Sequence, residues 1–352
     1  MSGMQITDLE HRLAELGAKP AHRDAVLRAW LHALPLETGS RRQPGAQAFP
    51  LRLRQALPGL TEELQQLLRL QSEHPGNDGS VRRLYALHDG QLIESVLLPR
   101  DGLCLSCQVG CAVGCRFCMT GRSGLLRQLS SLEMLAQVVQ ARRSKPIRKV
   151  VFMGMGEPAH NIDNVIATIE LLGRAADIGH KNLVFSTVGD DRVFSRLPQM
   201  QVKPALALSL HSTDDERRQQ LLPHAPRIPV VELLERAQAY AEQVGYPIQL
   251  QWTLLAGIND GADEVDALIE LLRGKYMILN LIPYNSSGEG ALDPYQRPAG
   301  ERIVSMVRAL QSQGILTKVR QSAGQDVEGA CGQLRARALH LRPARRSRTD
   351  VT

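Results

Sequence analysis

Cys111, Cys115 and Cys118 stand in a CxxxCxxC spacing within the segment CAVGCRFC, a glycine-containing loop that follows a strand-like run near 103 to 109. Three thiolates this close in the chain can bind three irons of a cubane cluster and leave the fourth iron without a protein ligand. An open iron is a place for substrate chemistry. The same thiols also suit zinc, which wants four ligands, and Cys107, four residues before Cys111, offers a fourth. Five of the six cysteines lie between Cys104 and Cys118, and the sixth, Cys331, stands far downstream. A secreted disulfide scaffold would spread them, so the crowding points to metal or redox chemistry in a reducing compartment.

The elements that must position these thiols follow from periodicity. Residues from about 4 to 70 read as helices, with Leu9, Leu13 and Leu16, then Ala25, Leu27, Trp30, Leu31 and Leu34, recurring at helical spacing. GSRRQPGAQAFP at 39 to 50 interrupts them, and PGNDG at 75 to 79 closes them. In VRRLYALHDGQLIESVLL the HDGQ at 88 to 91 separates two strand-like runs as a hairpin turn does. From there to about 335, branched runs at 149–153, 182–186, 205–210, 248–254, 277–282 and 315–319 alternate with amphipathic stretches at 131–143, 162–175, 230–244, 263–273 and 300–313. Ser130 and Glu133 offer a capping box for the first of these helices. Such alternation predicts an α/β fold, a parallel sheet with helices outside, open or curled toward a barrel. The division expected is a helical accessory domain over 1–75, a candidate RNA contact; a β-hairpin extension over 76–102; a core over 103–335; and a basic, solvated tail over 336–352.

The chain has 352 residues, 43% hydrophobic and 22% charged, as a soluble globular protein has. Its first residues carry charge where a signal peptide needs an apolar run, and no stretch reaches the length of a membrane span, so a cytoplasmic location is expected. The net charge is +6, with arginine far outnumbering lysine, which suits a partner made of phosphates. Aromatic residues are only 4%, which argues against a base-stacking sheet.

Four segments together resemble one family, the RlmN and Cfr type of radical S-adenosylmethionine (SAM) RNA adenine methyltransferases: LCLSCQVGCAVGCRFCMTG at 103 to 121, FMGMGEPAHNIDNV at 152 to 165, ALALSLHS at 205 to 212 and RQSAGQDVEGACGQL at 320 to 334. The resemblance implies a partial (β/α)6 radical SAM barrel with a small N-terminal helical accessory domain. It implies one 4Fe-4S cluster on Cys111, Cys115 and Cys118, with Phe117 the aromatic residue the motif carries before its last cysteine. SAM is implied at Gly156, Glu157, Ser186, Ser209, Leu210, His211 and Asn285. Physical reasons stand beside these matches: strand ends of a β/α barrel are where polar groups reach a ligand, and Gly154 and Gly156, in the GMGEP that ends a strand, are small residues that would let a ligand approach the backbone. Taken singly, Ser186 or His211 would more often satisfy local backbone groups.

By the same resemblance Cys331 carries a methyl group as S-methylcysteine, one SAM supplying the methyl and a second the radical that activates it. Cys104 is implied as the second cysteine, forming a transient disulfide with Cys331, and Glu94 as proton acceptor. From the residues alone Glu94 is equally a strand-surface charge, and Cys331 a buried filler. The implied partners are 23S rRNA, with tRNA a further target, and a flavodoxin- or ferredoxin-type electron donor; a monomer is expected. Methylation is expected at carbon 2 of adenine, with carbon 8 or another RNA as alternatives. The chain departs from the family at Val188, where a serine is expected, and at Cys107, usually serine. A rival of another class is a non-catalytic zinc RNA-binding protein.

Overall fold

The computed structural model describes residues 4–38, 48–285, 294–320 and 332–340. Three helices open the chain: α1 (Ile6–Glu15), α2 (Pro20–Leu31) and α3 (Leu51–Gln66). Each buries the apolar stripe its spacing predicts, as with Leu53, Leu57, Leu60 and Leu64 on α3. A meander follows, β1 (Leu68–Pro75), β2 (Val81–Leu87) and β3 (Leu92–Leu98), its pairs antiparallel. Residues 68–70, read from the sequence as the end of a helix, belong to β1, because pairing with β2 satisfies a backbone that the helical pattern alone would have continued.

The β/α part begins with β4 (Gly102–Cys104), then β5 (Gln108–Gly110), the thiol loop, the single turn α4 (Met119–Arg122), β6 (Leu125–Gln128) and α5 (Ser131–Arg142). Then come β7 (Lys149–Phe152), α6 (Ile162–Ala175), β8 (Leu183–Thr187), α7 (Asp191–Arg196), β9 (Ala205–Ser209), α8 (Asp215–Leu221), α9 (Val230–Val244), β10 (Ile248–Leu254), α10 (Ala262–Leu272), β11 (Met277–Pro283), α11 (Gly300–Ser312), β12 (Thr317–Val319) and α12 (Gln333–His340). Among the described residues ten strands form one sheet in the order β1-β2-β3-β4-β7-β8-β9-β10-β11-β12, parallel from β4 to β12; β5 and β6 form a separate pair. The expected capping box is present: Ser130 Oγ accepts from the Glu133 N–H (3.2 Å), and Glu133 accepts from the Ser130 N–H (2.9 Å).

Period-two alternation gives the sheet two unlike faces. Phe152, Phe185, Leu206, Leu208, Leu250 and Trp252 point to the helices and join one core that runs from Ile6 to Ile315. The other face carries small side chains, Val96, Cys104, Val151, Val184, Ala205 and Ala207. Large residues thus hold the sheet to its helices, while smaller ones line the opposite side.

The α12 helix was not expected. The basic tail read from 336 onward is helical to His340, and Leu334 packs with Leu84, Ala86 and Leu92 of the meander. Leu334, Ala336 and Ala338 alternate with Arg335 and Arg337 rather than recurring at helical spacing, which gave too weak a pattern; docking on the sheet supplies what the sequence lacks. Cys331, the remainder of the basic tail, and most of the 39–50 break lie outside the described residues. Among the described residues no helix is long and apolar enough to cross a membrane.

The N-terminal helices are tied to the barrel helices by Arg142, which donates to the carbonyls of Leu31 (2.9 Å), Ile147 (3.0 Å) and Ala176 (2.6 Å). Arg142→Ala strands three carbonyls at a partly buried junction and is expected to cost roughly 2–4 kcal/mol of stability. Urea denaturation of the two proteins checks the size, and faster amide exchange in α1 and α2 checks the location.

Candidate active site

The thiol loop has little regular structure, so its backbone groups must be satisfied from outside. Upstream of it, the Cys107 and Gln108 N–H groups donate to the Met155 carbonyl (2.9 and 3.1 Å), and the Gly154 N–H donates to the Leu105 carbonyl (2.9 Å). Within it, the Cys111 N–H donates to Gly124 (3.0 Å) and the Arg116 N–H to Leu221 of α8 (3.0 Å), while the Val113 carbonyl accepts from the His224 N–H (3.2 Å). The Cys118 N–H closes a turn onto the Cys115 carbonyl (3.0 Å). The loop therefore sits across the carboxyl ends of β7 and β9.

Cys111 is buried with Val113, Val188, Leu221 and Leu222, and Cys115 and Phe117 pack against the same group. Burial pushes the Cys111 thiol up to about 12 and the Cys115 thiol well above its ordinary value, and the neighbouring Cys118 raises both further. Such thiols are neutral until a cation compensates the charge of the thiolate. Cys107, the spare ligand that zinc would need, is 2% exposed in the helix-side core with Leu105 and Val109. A cubane with one open iron would take three sulfurs, and Cys111, Cys115 and Cys118 are the thiols of this loop that would hold it.

The SAM positions expected from the sequence gather at the same rim. Ser186 and Ser209 end β8 and β9 and lie half-buried on the small face, two residues beyond Val184 and Ala207. Leu210 sends its side chain into the helix-side core, which leaves its backbone at the rim. Asn285 follows Tyr284 after β11, and its amide Nδ2 is buried with no hydrogen-bond partner among the described residues. A buried amide donor left unmatched fits a site for a polar ligand such as SAM.

Geometry adds a second reason for the glycines of this segment and corrects one alternative for Glu94. Gly154 and Gly156 stand where small residues were expected to let a ligand approach. A Cβ at Gly154 would stand 2.6 Å from the Leu105 carbonyl oxygen, and one at Gly156, whose φ is +106°, would stand 2.6 Å from the Gln108 Cβ. Close packing of the β7 end on residues 105–108 requires these glycines whether or not a ligand is bound. Glu94, one alternative for which was a strand-surface charge, is 2% exposed. Its carboxylate accepts from the Arg335 N–H at the start of α12 (2.8 Å) and from Arg82 (3.4 Å), and burial raises its pKa. It lies on the same face as Val96, the residue paired with Cys104.

Glu157 is buried and binds backbone, accepting from the N–H groups of Ala159 and Val188 (both 3.1 Å); burial brings its pKa to about 7. His211, at φ +64°, stacks edge-on with Phe117 (4.8 Å) and accepts the Thr253 N–H at Nδ1 (2.9 Å). The local backbone role thus takes one of its ring nitrogens. Gly332, next to Cys331 in the chain, lies against α4: a Cβ there would be 2.7 Å from the Thr120 N. Sequence reasoning missed Gln108, whose Oε1 accepts the Glu157 N–H (2.7 Å), and Arg218; the glutamine stands in a quoted motif, whereas the arginine stands in none.

These sulfurs at the carboxyl rim of a parallel β/α sheet define a radical SAM class of site. The radical SAM superfamily pattern matches residues 105–272. A probable RNA methyltransferase of Ectopseudomonas mendocina is 64% identical over 338 residues, 96% of this chain and 97% of that protein. Another of Stutzerimonas stutzeri is 63% identical, over 98% of this chain and 100% of its own length. Among solved structures, a radical SAM methyltransferase from Sphaerobacter thermophilus matches with TM-score 0.80 and 33% identity, covering 94% of this chain and 97% of that one. The chain belongs to the radical SAM methyltransferases of the RlmN and Cfr type.

Burial, helped by the nearby Arg218 charge, lowers the His211 pKa to about 3. The unfolded chain takes up this proton near pH 6.5, so the stability that the neutral ring secures is complete above that pH and is lost as pH falls toward 3. His211→Asn keeps an acceptor for Thr253 and a residue type tolerant of positive φ. Relative to this variant the wild type is expected to lose on the order of 3 kcal/mol by pH 4, measured by denaturation at pH 8, 6 and 4. Parallel curves would contradict the buried neutral imidazole.

Proposed function

We propose that this protein methylates a ring carbon of adenine in RNA, carbon 2 of a 23S rRNA adenosine in the first instance and a tRNA adenosine as a further target, through S-methylation of Cys331. The observation that carries this reading is the position of Cys104: a thiol on the small face of the sheet, on the strand that leads into the cluster loop. A methyltransferase that used SAM only as an electrophile would have no need of that arrangement. The relatives named as probable RNA methyltransferases and the net charge of +6 support RNA as the substrate.

A ring carbon flanked by two nitrogens is electron-poor and does not attack a sulfonium methyl as an amine does. The one-carbon unit must therefore reach it as a nucleophilic radical. The cluster, held by Cys111, Cys115 and Cys118, supplies when bound the electron that cleaves SAM homolytically. The chain's own part begins with the Cys331 thiolate, which takes the methyl group of a first SAM and releases S-adenosylhomocysteine. Loss of one hydrogen atom from that methyl, to a radical generated from a second SAM, leaves a methylene that bonds to the adenine carbon. The adduct radical gives up one electron to a one-electron acceptor, a part the oxidised cluster would fill, and Glu94 accepts the proton lost as the ring becomes aromatic again, its burial favouring that proton. The Cys104 thiolate then bonds to the Cys331 sulfur; the bond from Cys331 to the methylene carbon breaks with its electron pair on carbon, and a proton taken up there completes the methyl group and frees the base.

Gly156 and Glu157 hold the methionine part of SAM, with Ser186, Ser209, Leu210, His211 and Asn285 completing its site. An external one-electron donor of the flavodoxin or ferredoxin type has an approach at Arg116, an exposed residue of the cluster loop that lines a cavity of about 580 Å³.

Three variants test this reading in anaerobic preparations. Cys115→Ala is expected to lose iron, sulfide and brown colour together. Cys331→Ala is expected to keep colour and reductive cleavage of SAM while RNA methylation falls below detection. Cys104→Ala should accumulate a covalent protein–RNA adduct. Mass spectrometry of RNA from cells lacking the gene identifies the base: 2-methyladenosine should disappear, whereas loss of the 8-methyl isomer would reassign the carbon.

A further inference from the structure

Arg217 and Arg218 are neighbours on α8 with opposite surroundings. Arg217 is partly exposed and paired with Asp263 (3.0 Å) and Glu264 (2.7 Å). Arg218 is 3% exposed, and its guanidinium binds carbonyls instead: Nη2 donates to Val188 O and to Ser209 O (3.3 Å). Its Nε is buried with no acceptor among the described residues. A desolvated cation with a spare N–H and no bonded carboxylate is costly unless an anion completes it.

Asp215, on the same helix, accepts the Val230 N–H (2.8 Å), and Glu157 accepts the N–H groups of Ala159 and Val188 (both 3.1 Å). The cluster loop meets α8 at the same place: the Arg116 N–H is bonded to Leu221 at the end of α8, and Leu221, Cys111 and Val188, whose carbonyl accepts from Arg218, pack in one buried group with Cys115 against it.

We propose that Arg218 is the counter-charge of the iron-sulfur cluster, a positioning residue whose guanidinium, fixed by the Val188 and Ser209 carbonyls, offers its spare N–H toward the cluster and raises the cluster's reduction potential. This rests on the cluster reading above. A positive charge and an N–H donor beside the sulfurs stabilise the reduced cluster, which carries one more negative charge. The same two carbonyl bonds hold the β8 and β9 ends together, where SAM is expected.

The test uses anaerobically reconstituted holoprotein, wild type, Arg218→Lys and Arg218→Gln, with midpoint potentials read by EPR during redox titration. Arg218→Gln, which keeps a donor and loses the charge, is expected to make the ratio of reduced to oxidised cluster at least tenfold smaller at the wild-type midpoint, a shift of about 59 mV to more negative potential. Arg218→Lys, which keeps the charge, is expected to stay close to wild type. A Gln variant with full cluster content and an unchanged potential would overturn the proposal, as would a Lys variant shifted equally. Should neither variant retain its cluster, wild type carrying 15N-arginine decides: a nitrogen hyperfine coupling to the reduced cluster supports the contact, and its absence overturns it. A wild type that takes up no iron and sulfide would instead sink the cluster reading itself.

Discussion

A loop that crowds Cys111, Cys115 and Cys118 together cannot fold itself. Neutral thiols attract one another weakly, and glycines in the loop raise the entropy that must be lost on ordering it. What orders it is backbone hydrogen bonding to its surroundings: the Met155 carbonyl upstream, Leu221 through Arg116, and His224 through Val113. These anchors belong to the ends of β7 and α8, so the sheet must be formed before the sulfurs have a place. The site is accordingly a consequence of the parallel sheet's register, and a shift of any one strand would separate the anchors.

The two faces of the sheet divide labour by side-chain size. Packing of Phe152, Phe185, Leu208 and Trp252 against the helices supplies the hydrophobic stabilisation, at about 25 cal/mol per Å² of apolar surface buried. On the other side Cys104, Ala205 and Ala207 give up packing area that larger residues would have gained. The face is then covered at one edge by α12, whose first turn is held by the Glu94 carboxylate and whose Leu334 fills a gap on the meander. A sheet face lined this way is apolar and shut off from water, the setting in which a radical would be protected from solvent.

Legibility in the sequence followed how local each determinant is. The strands of the β/α part were readable because their branched runs are short and bounded, and helix α5 because its capping box is a contact between residues three apart. The first residues of β1 were misread since Leu68 and Leu70 continue the spacing of α3, and only pairing with β2 decides between the two states. The helix α12 was invisible for a related reason: its docking residues, Leu84, Leu92 and Glu94, lie more than two hundred residues away in the chain. At the site, the ligand cysteines and the rim serines stood in motifs, but the burial of Arg218 depends on where α8 meets the loop.

The GMGEP segment illustrates why a motif and its physical cause must be kept apart. Its glycines sit where a Cβ would strike Leu105 and Gln108, and its glutamate holds the loop after β8 through the Val188 N–H. Every one of these contacts orders protein against protein. Yet the partners are Gln108, three residues before Cys111, and Val188, whose carbonyl takes the Arg218 guanidinium. The segment therefore acts as the joint between the cluster loop and the next strand end, so that a ligand bound across both would meet a surface already assembled. Preorganisation of this kind avoids an ordering cost at the moment of binding.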